Sequence, residues 1–62
     1  MCLSTVYKNE INDSAVLMKN VMLVECEDNK VILTDLMERK LEIAGTLKSA
    51  NLTDGLVIVD AQ

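Results

Sequence analysis

The 62-residue chain contains no histidine, proline, phenylalanine or tryptophan. Histidine is the commonest general base and metal ligand, so its absence excludes serine–histidine and cysteine–histidine catalytic arrangements and all histidine-bearing zinc sites. The only two glycines, Gly45 and Gly55, stand alone, which excludes a glycine-rich phosphate loop. We therefore expect a protein that is not an enzyme.

Positive charge is also scarce, because the chain has six basic and ten acidic residues and a formal net charge of −4. Only Arg39 and Lys40 are adjacent bases, and the single aromatic residue is Tyr7. Nucleic-acid binding needs concentrated positive charge and aromatic stacking surfaces, so we do not expect it. No apolar run approaches the length of a membrane span and no signal peptide is recognisable, so we expect a cytoplasmic protein without membrane contact.

The length predicts one domain over residues 1–62 with a small core that needs support from oligomerisation or metal. Since aromatics are nearly absent, the core is predicted to be aliphatic, with Met18, Met22 and Met37 filling gaps. Cys26 follows an apolar strand in phase with Met22 and Val24. Because free cysteine is among the most buried residue types, we expect it in the core.

Short segments rich in β-forming residues follow one another along the chain. "STVYK" predicts a first strand, and "NEINDS" predicts a polar connection. "VMLVEC" and "VILTD" flank the turn-like "EDNK" and predict a hairpin, although without glycine its turn type stays open. "TDG" between "ANL" and "LVIVD" is the strongest hairpin signal, because Gly55 tolerates a positive φ.

Residues 36–44 allow two interpretations. Met37, Leu41 and Ala44 have the i, i+4, i+7 spacing of a short amphipathic helix that would end at Gly45. As a strand, the same segment places Arg39, Leu41 and Ile43 on one face, and this suits a chain of short strands better. We favour the strand and predict a mainly β fold, a small five- to six-stranded antiparallel barrel.

Two apolar runs, Val21–Val24 and Leu56–Val59, are continuous rather than alternating. Continuous runs are typical of strands that are buried on both faces, whereas a lone barrel leaves its outer face in water. A homodimer would cover these runs without any other partner, and we expect one. Runs this short also occur by chance in aliphatic sequences.

Cys2 lies next to other metal donors. The amine of Met1, the amide nitrogen of Cys2 and its thiolate can form fused chelate rings, and such planar nitrogen and sulfur donors suit Ni(II) or Cu(II). Thiolates reduce copper, which favours nickel, so Met1 and Cys2 are the predicted metal-binding residues. Alternatively, Cys2 simply leads into the first strand. A catalytic N-terminal cysteine of the amidotransferase type would need a larger fold to supply its oxyanion hole.

One chain start offers three donors, too few for a square plane. Two chains that meet at a two-fold axis can fill the plane with two sulfurs and two nitrogens, so we expect one Ni(II) per dimer. The two thiolates would neutralise the charge of the ion.

The order of these segments resembles the CooT-type family of small nickel-binding proteins associated with maturation of carbon monoxide dehydrogenase. The similarity lies in Met1-Cys2 followed by "LSTVYK", a polar connection, the hairpin "VMLVECEDNKVILTDL", a bend at Gly45 and the terminal "LTDGLVIVD". The resemblance implies an Sm-like or SH3-like barrel and a homodimer that holds Ni(II) through Cys2 of both chains near the interface. It also implies a nickel carrier whose partner is a client nickel enzyme or that enzyme's maturation proteins. The alternative is an Sm-like RNA-binding or protein-adaptor module in which Cys2 is incidental.

Overall fold

A computed structural model describes residues 3–61, which form five β-strands and one short 3-10 helix. The strands are β1 (Ser4–Lys8), β2 (Val16–Glu27), β3 (Lys30–Asp35), β4 (Lys40–Asn51) and β5 (Leu56–Ala61), and the 3-10 turn Asp13–Ala15 precedes β2. Hydrogen bonds connect them in the order β1-β2-β3-β4-β5, and the sheet closes into a barrel. The predicted mainly β barrel is confirmed, with five strands.

The barrel closes through one parallel pair. Every pair of strands consecutive in the chain is antiparallel, whereas β1 and β5 run parallel, with Val6 opposite Val57. A chain that reverses direction at each of four connections brings its fifth strand parallel to its first. The expected antiparallel pairing therefore holds along the chain but not at the pair that closes the ring, because the number of strands is odd.

The two twelve-residue strands, β2 and β4, are each shared between two neighbours. β2 pairs with β1 as far as Val21 and with β3 from Val21 onward, while β4 passes from β3 to β5 at Gly45. A residue in the left-handed region lies at or beside each corner, Asn20 with φ 56° and Gly45 with φ 151°. The predicted bend at Gly45 is confirmed, and it lies within a strand.

Both predicted hairpins are confirmed. Asn29 supplies the positive φ of the β2–β3 turn (61°) that glycine does not provide there, and Gly55 supplies it between β4 and β5 (70°). The disputed segment is a strand from Lys40 onward, as favoured, and is preceded by a loop. β2 begins at Val16 rather than at Val21, because the segment ahead of the apolar run pairs with β1.

The core is aliphatic, as predicted, and consists of the buried side chains Val6, Val21, Val31, Leu33, Val57 and Val59. Met18 packs against it, which confirms its predicted role. Met22 and Met37 are exposed instead, to 39% and 73%. Met22 lies where the pairing register of β2 shifts, and Met37 lies in a loop, so neither points into the barrel.

The two apolar runs differ in burial. In β5, Val57 and Val59 point into the core while Leu56 and Ile58 stay half-buried on the outside. In β2, Val21 is buried, but Leu23 is 46% exposed. Neither apolar run is therefore buried on both faces within a single chain. The run in β2 leaves the larger apolar surface exposed to water.

Candidate functional site

The chain start enters the barrel at Ser4, the first residue of β1. Ser4 is nearly buried and lies opposite Val21 of β2. The carbonyl oxygen of Leu3 lies against Gly55, where an added Cβ would approach it to 3.1 Å. Thr5 donates a 2.8 Å backbone hydrogen bond to the Gly55 carbonyl. The β4–β5 turn therefore holds the backbone of Leu3 and Thr5 in place. The predicted metal-binding residues Met1 and Cys2 lie outside the described residues.

An apolar groove opens beside this point, with a volume of about 200 Å³. Its lining residues come from β1, β2, β4, the β4–β5 turn and β5: Ser4, Val21, Met22, Leu23, Val24, Leu47, Ala50, Leu52 and Val57. Leu47 and Leu52 are 40% and 69% exposed, so the rim of the groove is apolar as well as its floor. This groove is therefore an apolar surface beside Ser4, the first residue of β1.

The groove forms because β2 and β4 extend past their neighbours. β1 reaches β2 only as far as Val21, and β3 reaches β4 only as far as Ala44. Among residues 3–61, no backbone pairing occupies the β1-facing edge of β2 beyond Val21 or the β3-facing edge of β4 beyond Gly45. Unpaired strand edges are surfaces that proteins normally cover or protect with charge.

The acidic residues of the chain lie away from this groove. None of the ten aspartates and glutamates lines it, and neither does any lysine or arginine. Charges cluster instead around Lys30, which lies 3.4 Å from Glu27 and 3.6 Å from Glu42. The hydrogen bond to Glu27, followed by the charge of Glu42, raises the pKa of Lys30 above its usual value. The groove is thus a neutral surface on an acidic protein.

The expectation that Cys26 lies in the core is wrong, because its side chain is exposed. The predicted phase with Val24 is correct, since Val24 and Cys26 lie opposite the buried Leu33 and Val31 and directly opposite residues share a face. The predicted phase with Met22 is wrong, because the pairing register of β2 shifts at that residue. However, β1 begins at Ser4, which lies opposite Val21 on the neighbouring edge, five residues before Cys26 along β2. No part of β1 therefore covers Cys26, and the inner face of β2 reaches solvent there.

Residues 3–61 contain no group of three histidine, cysteine, aspartate or glutamate side chains that could hold a metal ion. No helix in this range is long and apolar enough to cross a membrane.

Sequence reasoning identified part of the groove and missed the rest. Met22, Leu23 and Val24 belong to the apolar run that was predicted to need a cover. Leu47, Ala50 and Leu52 were not singled out, because they are separated by polar residues in the chain. Leu47 lies in β4 and Leu52 in the turn that follows it, and their spacing carries no pattern that predicts a shared surface.

Comparison with known proteins gives one family. The model for CooT, described as CO dehydrogenase accessory protein CooT, matches residues 1–60. The matched range includes both Cys2 and the strands that build the groove. No curated protein matches the chain.

Proposed function

The chain belongs to the CooT family of carbon monoxide dehydrogenase accessory proteins, and we propose that it is a homodimeric Ni(II) carrier for its client enzyme. In this proposal nickel is the cargo. The two chains bind one ion jointly, each through the thiolate of its Cys2 and the amine of its Met1. The observation that carries the proposal is the family match, because it extends through the first two residues of the chain.

The donor chemistry supports nickel as the cargo. A thiolate and amine or amide nitrogens are the donors that stabilise square-planar Ni(II), whereas structural zinc prefers a tetrahedron of thiolates and imidazoles. The chain has no histidine and only two cysteines, so a single copy cannot supply four such ligands for zinc. Two copies of the chain start supply two thiolates and two nitrogens, which suit one planar Ni(II).

The apolar groove supports the homodimer. Ser4 lines the groove, so a second copy that docks there would meet the first copy next to its chain start. Under two-fold symmetry both chain starts would then approach each other, and the two Cys2 residues could share one ion.

Charge and size also favour a second copy on this face. Two chains of net charge −4 repel each other least when no charges are brought together in the interface, and the groove lining carries no charge. A stable interface buries about 800 Å² per partner, roughly a fifth of the 4230 Å² that this chain exposes. An interface of that size would cover the groove together with the exposed Met22, Leu23, Leu47 and Leu52.

A nickel titration of the purified chain tests the proposal. We expect saturation near one nickel per two chains with a thiolate-to-metal absorption band. Cys2→Ser should abolish the band, and the matched control Cys26→Ser should leave it unchanged, since Cys26 lies at the far end of β2. The affinity for nickel should decrease as the pH is lowered, because protons compete with nickel for the thiolate and the amine.

The role of Met1 is tested separately by adding one glycine ahead of it, which moves the amine away from Cys2. We expect weaker binding with the thiolate band retained in part. Full affinity in the Cys2→Ser chain would contradict the proposal, and saturation at one nickel per chain would contradict the shared site.

A further inference from the structure

The half of β2 beyond Val21 has an unpaired edge, which we call the β2 edge (residues 22–27). Among residues 3–61, none pairs with this edge, because β1 begins opposite Val21. On its other side the same half of β2 pairs with β3 in a constant register from Leu23 to Glu27. The β2 edge is therefore a regular strand edge, the kind of surface on which a strand of another chain can pair.

The second unpaired edge at the groove, in β4, is protected against such pairing, and the β2 edge is not. The β4 edge carries Lys48 and a register shift between Leu47 and Ser49. Lysine side chains and bulges are two devices that keep strand edges from pairing with other chains. The β2 edge has no lysine, and its register shift lies at its first residue, Met22. Of these two edges, β2 is the one open to another chain.

The hydrogen bonds of β3 show which groups of β2 point to the open edge. Gly45 N–H donates to the Asn29 carbonyl at 3.0 Å, in the same register that pairs β3 with β4. Because bonded pairs alternate along an antiparallel ladder, odd-numbered residues of β3 bond to β4 and even-numbered ones to β2. Opposite the even-numbered residues, β2 uses odd-numbered residues such as Glu25. The backbone N–H and C=O groups of Val24 and Cys26 therefore point to the open edge.

Two-fold symmetry leaves few registers in which the β2 edge can pair with itself. Opposite residues in an antiparallel ladder either bond to each other or both point away, so one residue must face its own copy. If that residue were Glu25, or if it were Cys26 with Glu25 opposite Glu27, like charges would lie directly opposite each other, which is unfavourable. If it were Leu23, Glu25 of the second copy would occupy the position beside β2 that Ser4 already holds.

We propose that the β2 edge pairs antiparallel with the β2 edge of a second copy, with Val24 opposite Val24 of that copy. Val24 lies midway between Met22 and Cys26, so in this register these two residues face each other across the interface. Leu23 faces Glu25, and no acidic residue lies directly opposite another. The inference rests on the proposed homodimer and adds how its chains join, because the β2-β3-β4 strands of both copies then form one six-stranded sheet.

This register leaves the two chain starts within reach of one ion. Ser4 lies opposite Val21, three residues from Val24, so the two copies of Ser4 are separated by six residue rises, about 20 Å. The chain from Ser4 back to Cys2 spans at most about 7 Å in each copy. The Cα atoms of the two Cys2 residues can therefore approach to about 6 Å, close enough for their thiolates to share one ion.

Amide hydrogen exchange, followed by NMR on the unaltered nickel-free chain, tests the pairing. In the dimer, the N–H groups of Val24 and Cys26 should exchange at least about tenfold more slowly than in Leu47→Asp at a concentration where that variant sediments as a monomer. The N–H of Glu25 is the internal control, because it bonds to β3 in both chains. Fast exchange of Val24 and Cys26 in a dimeric sample would overturn the pairing. Equal protection in the monomer would also overturn it, because the edge would then be paired within one chain.

Single cysteines in the Cys2→Ser/Cys26→Ser chain report the register. With oxidised glutathione, Val24→Cys should form a disulfide between copies, because Cα atoms of directly opposite residues lie about 5.5 Å apart. Leu23→Cys and Glu25→Cys are the matched controls. Each lies two residues out of register with its own copy, beyond the limit of about 7 Å, and should not cross-link. Cross-linking at either control position instead of Val24, or at none of the three, would overturn the proposal.

Both measurements use nickel-free chains, so they separate the pairing from the carrier function. Paired β2 edges in a chain that fails to bind nickel would support the pairing and contradict the carrier function. A dimer that binds one nickel ion but leaves the N–H groups of Val24 and Cys26 unprotected would overturn the pairing and leave the carrier function standing.

Discussion

Gly45 occupies the corner of β4 with a backbone conformation (φ 151°) that side-chain-bearing residues rarely adopt. A Cβ at this position would overlap the carbonyl oxygen of Asp60 and lie 2.9 Å from Cα of Ala61. These atoms belong to the backbone of the paired strand β5, so they cannot move aside without breaking the β4–β5 pairing. The corner therefore requires the absence of a side chain.

Gly45→Ala is predicted to destabilise the fold by at least about 3 kcal/mol, because the overlap adds to the unfavourable backbone conformation. Gly55→Ala is the matched control. It shares the positive φ (70°), but its Cβ would meet only the Leu3 carbonyl at 3.1 Å, so its cost should be about 1 kcal/mol. Urea unfolding of both variants measures the difference. Equal stability of the two would contradict the role given to the corner.

At the level of elements, the turns were the most predictable part of the chain. Asp54-Gly55 and the polar "EDNK" mark hairpins because few residues adopt the positive φ that tight turns need. The extent of the strands was less predictable. β2 begins earlier than its apolar run because its first half pairs with β1, and the sequence alone does not show which neighbour a strand has.

The β3–β4 loop, residues 36–39, depends on the buried carboxylate of Asp35. The backbone N–H of Arg39 is the main cause that holds the pKa of Asp35 below its usual 3.8, and the N–H of Met37 and the Arg39 side chain act in the same direction. A carboxylate whose pKa is lowered by folding gives its full stabilisation at pH values above its pKa in the unfolded chain. This stabilisation is lost as pH falls through its pKa in the folded chain. The loop should therefore loosen only below about pH 3.8.

Asp35→Asn should lower the melting temperature at pH 7, because the amide NH₂ would face the Arg39 donor and the charge would be lost. The difference from the unaltered chain should shrink as pH falls from 3.8 towards the lowered pKa of Asp35 in the folded state, where its carboxylate becomes protonated. Melting curves by circular dichroism between pH 2 and 7 measure both effects. Glu38→Gln serves as the control at an exposed position of the same loop, and an equal loss in that variant would contradict the role of Asp35.

Over the whole molecule, the barrel and its aliphatic core were predictable, whereas the groove was not. The composition leaves only aliphatic residues for a core, and alternating strands with turns indicate a barrel. The groove needs tertiary information, because its walls are strand edges that extend past their neighbours. Cys26 shows the same limit, since its face in β2 follows from the sequence but its exposure depends on where β1 begins to pair with β2.

The homodimer is predicted to form through the groove. Leu23→Asp and Leu47→Asp should each weaken dimerisation by about a hundredfold, because two-fold symmetry brings two buried charges into an apolar interface. Both side chains are at least 40% exposed in the single chain, so the variants should still fold. Ile11→Asp, at an exposed site outside the groove, should remain dimeric. Sedimentation velocity at micromolar concentrations measures this, and an unaltered chain that sediments as a monomer would contradict the dimer.

Native mass spectrometry of the chain loaded with nickel tests the central claim most directly, because it counts metal and chains in the same particle. We predict that nickel appears only in particles of two chains, one ion in each. Mixed with the Cys2→Ser chain, the unaltered chain should form heterodimers that carry no tightly held nickel, since one thiolate is missing. Nickel on single chains, or heterodimers as fully loaded as the unaltered dimer, would contradict a site shared by Cys2 of both chains.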